Sequence, residues 1–414
     1  MRRQKRYHQN LVLMIFCAAF ALTTNHLPLT TAEAAEVESR EGLRIVHLSG
    51  TPYEMGRQHG EALREDVRAS VRQVLGYFRS YLRIPGIRAW LVNWWLDDAW
   101  HQAQPFIPPQ YLEEFRGLSE GSGVPMAELY RLHAIPDRTY SCSSFAAWGR
   151  ATAGGRLLHT RNLDWNIRAG IQQFAVVFVV HPTGKHAFVS VGWAGFIGVL
   201  SGINDAQLSI GQIGAETADA TFRGEPMAFL MRQALEEADD VDEAAALIQA
   251  AHRTVGVNYV IADAKARRAV ALETTHRHAR VFEADDPAEH RVSYARPMVD
   301  AVFRADAAMD PTIRDRQLAS DGDPARPGLE PPGGSAYDVR YLGQAAGLTA
   351  HFGRLDPEAA RQIAKAVAPG SNVQSVLFAW PDLWVANAQG IIPAAQTPYR
   401  SLNVAELLRQ VTHQ

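Results

Sequence analysis

The run Cys142-Ser143-Ser144-Phe145-Ala146-Ala147-Trp148-Gly149 passes through Ala153-Gly154-Gly155 into Leu158-His159-Thr160-Arg161-Asn162-Leu163-Asp164-Trp165. Residues 143–149 and 156–160 read as short strands, and the glycine pair between them is hairpin punctuation. The period of the sequence changes here. Upstream, Thr51-Pro52-Tyr53-Glu54 offers a capping residue, a proline at the first helical position and a glutamate three after the cap. Leu63, Val67, Val71, Val74, Leu75 and Phe78 then recur at helical spacing. Further helices are predicted over 90–103, with Trp90, Trp94, Trp95 and Trp100, and over 109–120, ending in Gly121-Ser122-Gly123. The tryptophans serve packing, or else a surface that meets membrane or substrate. Residues 36–141 are therefore expected to be mainly helical.

Downstream the pattern is a meander. Strands are predicted over 174–181, 187–193, 196–201 and 207–212, followed by a helix over 226–238. A second helix opens at Asp240-Val241-Asp242-Glu243, where Asp240 and Glu243 fit a capping box. Strands over 257–262 and 269–275 follow, then a surface loop over 320–334 rich in Pro, Gly and Asp. A helix over 356–367 and strands over 373–379 and 383–386 complete the chain. Strands, then helices, then strands suit an α+β layered sheet better than alternating βαβ units.

Composition narrows the function. The 414 residues carry a net charge of -3, so there is no basic field for nucleic acid. Arg2, Arg3, Lys5 and Arg6, an apolar run from Leu11 to Leu22, and Ala32-Glu33-Ala34 together read as a secretory signal over 1–35. The apolar run is shorter than the roughly 20 residues a membrane span needs, so an exported, periplasmic or secreted protein without a stable membrane span is expected. Of the two cysteines, Cys17 lies inside that signal. Cys142 would then be the one thiol of the mature protein, with no disulfide partner. It is either a small core residue or a reactive group.

Arg161 and Asp164 stand just past the hairpin that begins at Cys142. A cation stabilises a thiolate, and a hairpin folds its second strand beside its first. The same two residues could equally form an ordinary ion pair. Other signals point nowhere. Gly117-Leu118-Ser119-Glu120-Gly121 fits the G-x-S-x-G pattern, but it follows a helix where the nucleophile elbow needs a strand. The fifteen histidines show no H-E-x-x-H, and His276 and His278 lack partners at ligand spacing. No metal and no cofactor is expected.

The block from Cys142 to Gly149, with Leu158 to Trp165, resembles the start of the catalytic chain in the penicillin acyltransferase and choloylglycine hydrolase group. Acid ceramidase and N-acylethanolamine acid amidase are more distant relatives. Gly50-Thr51-Pro52-Tyr53-Glu54-Met55-Gly56 with Gly60 is similar to the opening of the acyltransferase propeptide. Gly202-Ile203-Asn204-Asp205, Asn258-Tyr259-Val260-Ile261-Ala262-Asp263, Ser375-Val376-Leu377-Phe378 and Leu383-Trp384-Val385-Ala386 are similar to later blocks. The resemblance implies an N-terminal-nucleophile hydrolase, a four-layer αββα sandwich over 142–414 preceded by a helical propeptide or small subunit over 36–141. It implies self-cleavage between Ser141 and Cys142, with Ser141 standing where the acyltransferase has glycine. The freed α-amine of Cys142, with a pKa of about 8, would be the base. Arg161 would stabilise the thiolate and Asp164 would hold the amine. Asn204 and Asn258 would donate to the oxyanion. The family's later arginine would be Arg314, or Arg316 beside it, although Pro297-Met298 replaces the usual Asn-His. The implied activity is hydrolysis of a linear amide of an N-acyl substrate through an acyl-enzyme on Cys142. Transfer of the acyl group to an amine, or a non-catalytic exported binding protein of this fold, are the alternatives. The implied partners are a small-molecule N-acyl amide and the chain's own cleaved segment, retained as a subunit.

Overall fold

A computed structural model of the chain describes residues 34–81, 87–137, 141–318 and 339–409. The 320–334 loop and all but the end of the expected signal lie outside the described residues.

The segment before Cys142 is not wholly helical. It opens with a hairpin of β1 (Glu36–Arg40) and β2 (Leu43–Gly50). In β2, Ile45 belongs to one apolar cluster and Val46 and Leu48 to another. Both faces are therefore covered, which masks the alternation by which an amphipathic strand is recognised. Five helices follow: α1 (Pro52–Ala62), α2 (Arg64–Tyr81), α3 (Ile87–Ala103), α4 (Pro109–Ser122) and α5 (Met126–Ala134). Helix α1 starts on the predicted capping box, with Thr51 and Glu54 each satisfying the other's backbone N–H. Helices α1 and α4 touch along glycines. A Cβ on Gly117 would lie 2.1 Å from the Tyr53 carbonyl oxygen, and one on Gly56 would lie 2.0 Å from that of Glu114. The G-x-S-x-G run is thus a helix-packing surface.

The hairpin at Cys142 forms as predicted, with β3 (Ser141–Gly149) against β4 (Gly155–Asp164). Next come β5 (Ala175–Pro182), β6 (Phe188–Trp193), β7 (Ser201–Asn204) and β8 (Leu208–Gly214). Residues 196–200, read as the start of a strand, form a loop instead. A turn at Gly195 (φ +89°) sends the chain away from the ladder. Its backbone donors bond elsewhere: Gly195 to His59 Nε2 (2.9 Å), Ile197 to His133 Nε2 (2.9 Å) and Val199 to the Ala228 carbonyl (2.9 Å).

Helices α6 (Met227–Glu237) and α7 (Val241–Ala250) precede β9 (Val257–Asp263), β10 (Arg268–Thr274), β11 (Ala279–Phe282) and β12 (Ala301–Arg304). Asp240 caps α7, while Glu243 reaches the N–H of Asp239 (2.9 Å) instead of that of the cap. A four-residue helix α8 (Pro311–Arg314), α9 (Val339–His351) and α10 (Pro357–Val367) lead to β13 (Asn372–Ala379), β14 (Asp382–Asn387) and β15 (Arg400–Asn403), and α11 (Val404–Leu407) follows.

The strands make two sheets. The larger has nine strands in the order β1-β2-β5-β6-β7-β8-β9-β10-β11, and the smaller six in the order β12-β3-β4-β13-β14-β15. Strand β2 pairs parallel with β5 from Ile45 to Gly50, while the strands from β5 to β11 pair antiparallel. Helices α6 and α7 pack on the larger sheet, α9 and α10 on the smaller, and the two sheets face each other. Val177, Val191 and Ile203 meet Val376 and Val385 in that interior. The fold is the αββα sandwich of the α+β class.

Candidate active site

Strand alternation decides what surrounds Cys142. On β4, His159 and Arg161 project toward the larger sheet: His159 Nδ1 bonds Ser209 Oγ (2.8 Å), and Arg161 Nη1 bonds Ser201 Oγ (3.1 Å). Asn162 and Asp164 project the other way. Asn162 donates to the Ala364 carbonyl in α10 (2.8 Å), and Asp164 meets Arg340 in α9 (3.1 Å). Cys142 stands opposite Leu163 and Ser144 opposite Arg161, so the long guanidinium reaches along its face to the thiol. Arg161 Nη2 lies 3.3 Å from Cys142 Sγ, and neither residue has any exposure. Gly211 makes room, since a Cβ there would lie 2.8 Å from Arg161 Cγ.

The thiol and its cation pull in opposite directions. Burial pushes the Cys142 thiol up to about 11, with the Asp164 and Asp306 carboxylates adding to the rise. Arg161 and a hydrogen bond from the backbone N–H of Asp164 oppose it. In the uncleaved chain the sulfur is therefore a protonated thiol at neutral pH. Asp164 is itself raised to about 6, first by burial and then by Asp306, against the pull of Arg340 and Asn372.

Asp164 does not receive the nitrogen of Cys142. Its carboxylate accepts from Arg340 Nη1 and from Asn372 Nδ2 (2.9 Å). The Cys142 N–H instead donates to Asp306 Oδ1 (3.3 Å), and the other oxygen of Asp306 pairs with Arg340 Nη2. Neither Asp306 nor Arg340 was singled out by the sequence. Arg340 follows Cys142 by nearly two hundred residues and lies on a helix without a chemical motif.

A family model described as acyl-coenzyme A:6-aminopenicillanic acid acyl-transferase matches residues 151–292. Protein dcd1B of Dictyostelium discoideum is 29% identical over 262 residues, which are 59% of this chain and 52% of that protein. The N-acylethanolamine-hydrolyzing acid amidase of Rattus norvegicus is 21% identical over 214 residues, 50% of this chain and 56% of the relative. The chain spans about half the length of these two curated relatives. Among solved structures, a Caenorhabditis elegans N-acylethanolamine-hydrolyzing acid amidase ortholog aligns with TM-score 0.42 and 17% identity, over 57% of this chain and 92% of that one. The chain is thus similar, over residues 151–292, to that acyl-transferase family.

The structure distributes the remaining predicted residues unevenly. Asn258, on β9, is fully buried, and its Nδ2 donates to the Ala305 carbonyl (3.0 Å) in the loop that carries Asp306. Its Oδ1 is buried without a partner. Asn204 does not join the group. Its Nδ2 donates to the carbonyls of Leu235 (3.1 Å) and Ala238 (2.9 Å), and its Oδ1 accepts from Leu208 N (2.9 Å), so the amide is spent tying β7 to α6. Arg314 stacks over Tyr294 at 5.9 Å, and Arg316 donates to Thr312 O (2.6 Å); Arg340 is the arginine that reaches the site.

Another amide, not among the residues expected from the sequence, faces the thiol. Gln212, fully buried on β8, points Nε2 at Cys142 Sγ (3.8 Å) and leaves Oε1 unpartnered. A lone amide in Leu208-Ser209-Ile210-Gly211-Gln212-Ile213 was the available signal. Gln212 also lines a pocket of about 40 Å³ otherwise walled by apolar side chains, among them Val74, Leu132, Leu163, Trp165, Trp193 and Phe196. Val74 and Leu132 come from α2 and α5, so both sides of the Ser141–Cys142 bond build this wall. Among the described residues, no group of three His, Cys, Asp or Glu is gathered to hold a metal ion, and no helix is long and apolar enough to cross a membrane.

Proposed function

We propose that the chain is a self-processing cysteine amidase that hydrolyses the linear carbon–nitrogen bond of an N-acyl amide with an apolar acyl group. The contact that carries this reading is Arg161 Nη2 on Cys142 Sγ at 3.3 Å, beside Gln212, which reaches the same sulfur and lines an apolar pocket. Cleavage between Ser141 and Cys142 frees the α-amine, which takes the thiol proton within the same residue. Arg161 holds the thiolate, and the sulfur attacks the substrate carbonyl. The amine passes its proton to the leaving nitrogen, and water then releases the acyl group. Gln212 Nε2 is placed to donate to the oxyanion. An oxygen on a carbon newly bonded to Sγ lies between the two, and such preorganised donors act where charge develops. Asn258 acts through the Ala305 carbonyl it holds. The acyl chain occupies the pocket between the two halves of the chain, and the segment before Cys142 remains as a subunit of the processed enzyme.

Intact mass tests the first step. The wild-type chain should resolve into two pieces that meet at Ser141–Cys142, whereas Cys142→Ala stays whole and inactive. Turnover by Cys142→Ala would remove Cys142 as nucleophile. A wild-type chain that never splits would favour a binding protein that keeps the fold. The family match names an acyl-transferase, so transfer to an amine is the second reading. Product analysis with and without added hydroxylamine separates the two, because transfer yields the hydroxamate and hydrolysis the free acid. We also propose export to the periplasm or medium with removal of the signal. N-terminal sequencing of the exported protein checks that, and an intact Met1 would refute it.

A further inference from the structure

We propose that Asp306 is a catalytic residue that handles the nitrogen of Cys142 twice, first as the scissile amide and then as the free amine, and that Arg340 positions it. The inference rests on the self-processing reading above. Cys142 N donates to Asp306 Oδ1 at 3.3 Å, so the carboxyl touches the atom on which the Ser141–Cys142 bond must break. One guanidinium, Arg340, spans Asp164 and Asp306. It divides the labour between them. Asp164 is turned to Asn372 and α9, and Asp306 to the nitrogen.

Access separates them as well. The Asp164 side chain has 0% exposure and that of Arg340 3%, while that of Asp306 has 16%. Of these three groups, Asp306 has the readiest route for exchanging a proton with water. Its loop is held from several sides. Asn258 Nδ2 holds Ala305 O (3.0 Å) and Gln317 Nε2 holds Asp306 O (2.7 Å). Tyr294 holds Ala308 O (2.7 Å), and the Glu273 carboxylate accepts from Met309 N (2.8 Å) and Asp310 N (2.8 Å). A carboxyl placed this firmly on one backbone nitrogen is preorganised for chemistry at that nitrogen.

In self-cleavage the thiol loses its proton, through water, to the Asp306 carboxylate and Sγ bonds the Ser141 carbonyl carbon. The carbon–nitrogen bond breaks, and the nitrogen takes a proton from the Asp306 carboxyl. A thioester, a free amine and an Asp306 carboxylate result. Water hydrolyses the thioester to the Ser141 carboxylate and restores the thiol, so the net change is addition of one water across the peptide bond. In the processed enzyme the same carboxylate faces the amine when that amine holds the thiol proton. An anion beside an ammonium favours the protonated form, so Asp306 raises the pH at which the base becomes free.

The test uses the full chain with Asp306→Asn and Asp306→Glu. Splitting is followed by intact mass, folding by thermal melting, and kcat/KM against pH with the dodecanoyl amide of 7-amino-4-methylcoumarin. Asp306→Asn should split about a hundred-fold more slowly with a melting temperature near that of the wild type. Its processed fraction should show an acid limb lowered by about one pH unit. Asp306→Glu should recover much of both. If Asp306→Asn does not split at all, normal melting and recovery by Asp306→Glu support the proposal. Wild-type splitting and an unmoved acid limb in Asp306→Asn would overturn it. So would a loss of splitting that tracks a loss of melting temperature in both variants, which is the mark of a structural role. A wild-type chain that stays whole would instead defeat the self-processing reading, and the role assigned to Asp306 would fall with it.

Discussion

Arg161 spreads its guanidinium over a hydroxyl, a backbone carbonyl and a sulfur, all away from water. Burial of such a charge is unfavourable unless its donors are used, which marks the sulfur as part of its design. In Arg161→Gln the thiol should rise above its already elevated range. Alkylation of the unprocessed chain by iodoacetamide, read by mass over pH 7 to 10, should slow by about ten-fold or more. An unchanged rate would mean that the contact leaves the thiol untouched. Gln212→Leu keeps approximate size and removes the amide. It should lower kcat by about a hundred-fold or more with little effect on KM, as for loss of an oxyanion donor; an effect confined to KM would assign Gln212 to ground-state binding. Cys142 and Arg161 were legible in the sequence because one hairpin brings them together. Asp306 and Arg340 were not, because they arrive from a loop and a helix that lie beside β3 only after the chain has folded. Asn204 misled for the opposite reason, since its local surroundings look alike whether its amide serves a turn or a reaction.

At the scale of elements, close approach of α1 and α4 depends on glycines that leave no space for a methyl group. Gly117→Ala would bring Cβ to 2.1 Å from a backbone oxygen, which neither helix can relieve by a rotamer change. The loss of stability should be about 3 kcal/mol or more, measured by urea unfolding of the unprocessed chain; a loss under about 0.5 kcal/mol would show that the helices can part freely. The α4–α6 contact adds a buried ion network to its packed rings. Arg232 on α6 is buried against Glu114 on α4 and Glu236 on its own helix. Burial lowers its tendency to hold a proton, and the two carboxylates more than restore it. Glu114→Ala would strand part of that charge at about 3–5 kcal/mol. Helices with caps and stripes, such as α1 and α10, could be read from the sequence. Strand β2 could not, because a strand covered on both faces has no polar side to give its period away.

For the whole molecule, buried titratable groups set how stability responds to pH. Burial holds His59, His133 and His159 neutral, each lowered to about 3. They take up protons only on unfolding, so their contribution is complete above the ordinary histidine range and falls as pH drops from about 6.5 toward 3. Asp164, raised to about 6, and Glu225, raised by burial to about 8, run the other way and weaken the fold as pH rises through their windows. His133→Gln isolates one term. Between pH 6.5 and 5 the wild type should lose roughly 1–2 kcal/mol more than this variant in urea unfolding. Equal losses would mean that His133 is charged within the fold.

The parallel pairing of β2 with β5 has a consequence for how long the processed molecule can last. While the chain is whole, that seam closes within one polymer at high effective concentration. If the Ser141–Cys142 bond is cut as proposed, the same seam joins two molecules, and a pair that comes apart must find each other by diffusion. Folding then becomes a journey made once. The whole chain should recover after heating, while the cut form, dilute, should keep what it loses, so its working life is set by how slowly it opens.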